Sequence, residues 1–73
     1  MEYSVYMLCS NGLGHYLSIK GRVEWKTKAI AIKHAQAILP ACKSGFGRYK
    51  GGEVVEVSVL DTYRDEVKSW RIL

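Results

Sequence analysis

One proline, two cysteines, two histidines and no long apolar run set the first limits on this chain. Cys9 and Cys42 belong to no C-x-x-C pair, and no histidine sits at metal-ligand spacing beside them, so neither a metal centre nor a disulfide framework is indicated. They are expected to act as two small buried hydrophobes in a reducing compartment. No apolar stretch approaches the ~20 residues of a membrane span, and no basic stretch leading into an apolar run marks a secretory signal. The expected location is the cytoplasm of a bacterium or an infected host cell. His15 and His34 have no serine or cysteine nucleophile beside them in sequence, so no triad or general base is suggested. Glu53 and Glu56 fall on opposite faces of a strand, and Asp61, Asp65 and Glu66 read as a solvated turn. Neither set makes a paired-carboxylate site. The expectation is a chain with no catalytic residues, no metal and no cofactor.

What is present fits one small globular domain spanning residues 1–73. Apolar residues make up 48% of the sequence, too many for a disordered segment. A chain this short has little hydrophobic material to spare once its core is built, which favours a shallow recognition surface over a deep pocket. The net charge of +4 is unevenly spread. Residues 20–50 hold eight cations (Lys20, Arg22, Lys26, Lys28, Lys33, Lys43, Arg48 and Lys50) against one acid, Glu24. Such a segment is suited to a phosphate backbone or an acidic protein face; it also serves solubility alone.

Residues 3–9 are rich in aromatic and aliphatic types and read as a strand. Ser10, Asn11, Gly12 and Gly14 mark a turn. Residues 15–19 alternate as a half-buried partner strand, and residues 22–26 extend the sheet, with Val23 and Trp25 on one face. Thr27 is a helix N-cap. The Gly-free run 28–39 is helical, and Pro40 is expected to stop it. At 100° per residue, Ala31, Ile32, Ala35, Ile38, Leu39 and Cys42 share one face, which should pack on the sheet. Residues 53–60 form a strand with Val55, Val57 and Val59 on one side, and residues 67–73 form a last strand carrying Trp70 and Ile72. The sum is an α+β domain of ββαββ order, a mainly antiparallel sheet with one helix on one face.

Residues 43–52 read as a loop with four glycines, three cations, two aromatics and no acid. Glycines let amides approach a phosphate, cations neutralise it, and Phe46 or Tyr49 can stack on an unpaired base. A flexible polar linker with two rings folded under it has the same composition. The candidate binding residues are Lys43, Phe46, Arg48, Tyr49 and Lys50, supported by Lys26, Lys28 and Lys33. No Gly-Lys-Ser/Thr ends the loop, so it is not a Walker loop. Eight aromatics in 73 residues exceed what so small a core hides. Exposed Tyr and Trp anchor protein interfaces, serve β-propensity, or meet a second copy in a symmetric homodimer, face to face or edge to edge.

The stretch Ser44-Gly-Phe-Gly-Arg-Tyr resembles the aromatic motif of RNA-recognition domains, although those use two helices and this chain has room for one. In element order, and in its Thr27-Lys-Ala-x-Ala-x-Lys-x-Ala helix followed by Gly51-Gly-Glu-Val-Val, the chain resembles the small ββαββ proteins of phages and bacteria, among them anti-CRISPR proteins. That resemblance implies a non-enzymatic inhibitor or accessory factor docking on a protein or nucleoprotein partner. The alternative is a small DNA- or RNA-binding protein using loop 43–52.

Overall fold

Along the first strand, Val5, Met7 and Cys9 alternate with Ser4, Tyr6 and Leu8, and this period of two decides which side of the sheet becomes core. The computed structural model describes residues 1–72, so Leu73, expected in the last strand, lies outside the described residues. Its elements are β1 (Ser4–Cys9), β2 (Gly14–Tyr16), α1 (Lys28–Lys43), β3 (Val54–Leu60) and β4 (Glu66–Arg71). The strands form one sheet in the order β2-β1-β3-β4, with every neighbouring pair antiparallel. The chain is therefore an α+β domain of ββαββ order. Its helix packs on the central pair, β1 and β3.

The core lies between helix and sheet. Val5, Met7, Cys9, Val54, Val57 and Val59 rise from the strands to meet Ala31, Ala35 and Cys42 of the helix, with Leu17 and Trp25 closing one side. Ala31 and Ala35 are fully buried, and their small side chains let the helix axis approach the sheet closely. Thr27 caps the helix as expected, its hydroxyl accepting from the Ile30 amide at 3.2 Å.

Pro40 does not end the helix, which runs one turn further to Lys43. Proline at this position removes the amide that would bond the carbonyl of residue 36 and crowds that carbonyl with its ring, a cost lessened because Gln36 is exposed to water. The extra turn is held by burial of Cys42 and by the amides of Ser44, Gly45 and Phe46, which donate to the Ala41 and Cys42 carbonyls at 3.0–3.1 Å.

The second strand is also shorter than its alternation suggests, ending at Tyr16. The Leu17 amide still bonds the Val5 carbonyl, but the chain then reverses at Lys20-Gly21 (φ 51° and 79°), where Ile19 and Arg22 exchange 2.9 Å bonds. Positive φ at both central residues is the signature of a two-residue type I′ turn. The reversal brings Trp25 back beside Tyr3 and under the helix, where its ring meets His34 at 4.7 Å. Val23, expected to share the face of Trp25, is exposed.

A bulge shifts β3 by one residue. Leu8 opposes Glu56 while Cys9 opposes Val54, so Val55 has no partner on β1. Val54 turns into the core in place of Val55; Val57 and Val59 face inward as the alternation predicts. The opposite face of the sheet has no helix over it. There Tyr6 and Tyr16 meet edge to face at 5.1 Å, and the Arg64 guanidinium lies 4.9 Å from the Tyr16 ring centroid.

Candidate functional site

The segment after the helix, read from sequence either as a phosphate-binding loop or as a flexible linker, folds back over the core. Gly47 is the pivot. Its φ of 82° suits glycine. A Cβ there would come to 2.9 Å from Met7 Sδ and 3.0 Å from Val54 Cγ2, so the backbone passes directly over the core. The Gly47 carbonyl accepts from His15 Nε2 at 2.7 Å and more weakly from Cys9 Sγ at 3.7 Å. A carbonyl can only accept, which assigns the proton to Nε2. The His15 ring then stacks on Tyr49 at 5.3 Å.

Beyond Tyr49 the chain makes a second type I′ turn, Lys50-Gly51 at φ 50° and 89°. Tyr49 and Gly52 exchange backbone bonds of 3.1 and 3.0 Å across it. The Asn11 side-chain amide donates to the carbonyls of Tyr49 (3.0 Å) and Lys50 (3.3 Å). Ser10 and Glu53 add two bonds, Ser10 N to Glu53 O at 2.8 Å and Glu53 N to Ser10 Oγ at 3.1 Å. The β1–β2 turn and residues 44–53 are thus clamped together into one end of the molecule.

Of the eight candidate residues, this end gathers five: Lys43, Phe46, Arg48, Tyr49 and Lys50, all exposed. Phe46 is 48% exposed and stacks on no other ring among the described residues. Tyr49 is engaged twice, by His15 and by the Lys50 ammonium 5.5 Å from its centroid. Arg48 pairs with Glu53 at 2.8 Å, the one ion pair among the described residues. Both side chains are more than half exposed, so the pair is easily exchanged for another anion.

The other three candidates lie elsewhere. Fifteen helical rises of 1.5 Å put Lys28 roughly 22 Å from Lys43, and Lys33 lies between them on the outer side of the helix. Lys26 borders a shallow cleft of about 290 Å³ with Glu2, Arg22, Val23 and Glu24, where the two acids balance the two cations. The basic segment is therefore not one patch.

Several backbone amides of the loop are already engaged within it. The amides of Ser44, Gly45, Phe46, Tyr49 and Gly52 already bond backbone carbonyls, so none of these five is open to a phosphate. Gly45 and Gly52 spend their amides on the helix end and the turn, while Gly47 serves the close approach to the core. Sequence reasoning missed the clamp itself: Asn11 had a signal in its Asn-Gly turn, but nothing in the pattern linked His15 or Cys9 to Gly47.

Among the described residues no group of three His, Cys, Asp or Glu side chains could hold a metal ion. No helix there is long and apolar enough to cross a membrane. The Cys42 thiol has its pKa pushed up by burial and, secondarily, by Cys9. No protein-family model, curated protein or solved structure significantly matches the chain.

Proposed function

We propose that this chain is a small non-enzymatic binding protein, an inhibitor or accessory factor of the phage-borne, anti-CRISPR-like kind. It docks on a protein or nucleoprotein partner through Lys43, Phe46, Arg48, Tyr49 and Lys50. The observation that carries this reading is the clamped end: Asn11, His15 and Ser10 hold the loop in one conformation while its cations and Phe46 face solvent. A surface ordered before binding avoids the entropy of ordering a loop at the moment of contact. An exposed ring amid cations is a suitable anchor for an acidic partner surface containing an apolar pocket. Lys26, Lys28 and Lys33 extend the favourable field without touching the same contact.

Direct nucleic-acid binding is the second reading, favoured by the three cations around Phe46. At the clamped end it has one ring outside any stack, Phe46, since Tyr49 is already engaged, whereas single-strand binders stack successive bases on successive rings.

Labelled single- and double-stranded oligonucleotides titrated at about 50 and 200 mM salt separate the two, because phosphate neutralisation makes affinity fall steeply with salt. Salt-sensitive micromolar binding that disappears in a Lys43→Ala/Arg48→Ala/Lys50→Ala variant supports the nucleic-acid reading. Absence of such binding, together with a protein captured by the native chain and released by Phe46→Ala, supports docking on protein. Turnover of a small molecule by the purified chain would overturn both.

A further inference from the structure

The outer edge of β4 offers a second surface, independent of the clamped end. The Ile72 amide donates to the Val55 carbonyl at 2.8 Å. Main-chain groups of an antiparallel strand point alternately to either side, so Trp70 and Lys68 bond β3 while Ser69 and Arg71 turn their N–H and C=O groups outward. Among the described residues the strand order places nothing beyond β4, and the helix packs on β1 and β3. On the helix side of the sheet, the partly buried Trp70 lies beneath the Lys68 ammonium, 5.6 Å from its ring centroid.

We infer that this edge pairs with the same edge of a second copy, antiparallel about a two-fold axis at Ser69, to make a continuous eight-stranded sheet. Three properties of the strand fit that occupant. Outward-pointing Ser69 then faces its own symmetry mate as a hydrogen-bonded pair, while Arg71 reaches the bulge at Val67 of the other copy, where Lys68 opposes Val59 but Glu66 opposes Leu60. On the helix side Lys68 of each copy meets Trp70 of the other, repeating across the dimer the cation–ring contact already made within each copy. The bulge at Val67 turns Glu66 to the open side, where it meets the Ser58 hydroxyl at 3.3 Å, so Arg71 comes beside Glu66 of the other copy and no two like charges stand opposite one another. A register one pair away, centred on residue 68, would instead oppose two lysines. The antiparallel arrangement sends the two clamped ends in opposite directions, so neither binding surface is covered.

The pairing is short and belongs to the weak class of interfaces. Light scattering after size exclusion, with the full chain loaded at roughly 100 µM to 1 mM, is expected to show mass rising from 8.3 kDa toward twice that value. Ser69→Pro removes an outward amide while sparing the bonds to β3, so it should stay monomeric with an unchanged circular dichroism spectrum. If proline disturbs the fold, charge exchange serves instead. Ser69→Lys and Ser69→Glu should each be monomeric alone and form a one-to-one dimer when mixed. A monomer at every concentration overturns the inference and leaves the edge to a strand from another protein. A dimer insensitive to Ser69 substitution overturns it too, by placing the contact elsewhere.

Discussion

At the scale of single residues, two glycines separate conformational from steric demand. Gly47 and Gly51 have nearly the same φ, 82° and 89°, yet a Cβ on Gly51 would meet open space and one on Gly47 would press on Met7 and Val54. Gly51→Ala is therefore expected to cost about 1–2 kcal/mol, the price of the left-handed conformation. Gly47→Ala should cost at least ~1 kcal/mol more by overpacking the core. Urea unfolding of both variants tests this, and equal losses would refute the packing role of Gly47. The turn-forming character of both residues is legible in their composition. That only one of them presses on the core depends on residues forty and seven positions away, which no local pattern encodes.

Among the elements, the helix shows how far periodicity reaches. Its N-cap and inward face follow from hydroxyl chemistry at Thr27 and from the spacing of Ala31, Ala35 and Cys42. Thr27→Ala should remove about 1 kcal/mol of stability while Thr27→Ser retains most of it, a difference readable in chemical denaturation midpoints. The C-terminus was not legible from the same rules. Pro40 is a local stop signal, but burial of Cys42 and three capping amides outweigh it. The bulge in β3 likewise replaces Val55 with Val54 in the core, because strand registry is settled between strands and not within one.

For the whole molecule, the link between a buried thiol and folding sets a pH dependence. The Cys42 pKa lies above its ordinary 9.0, through burial first and Cys9 second. At neutral pH the thiol is protonated both folded and unfolded, and its contribution to stability is fully present. As pH rises past the unfolded value, the unfolded chain releases the proton that the folded chain retains, so stability declines until the folded pKa is passed. Urea midpoints from pH 7 to 10 should fall more steeply for the native chain than for Cys42→Ala; parallel slopes would show that Cys42 is not the source. Alternation, helical spacing and turn chemistry were enough by themselves to determine the ββαββ order, the capped helix and the exposure of the cations, because each depends on near neighbours in the chain. Which cations share a surface was decided only by the tertiary fold. The helix holds Lys26 and Lys28 far from Lys43, and the contacts from Asn11 and His15 to residues 47–50 span more than thirty positions of sequence.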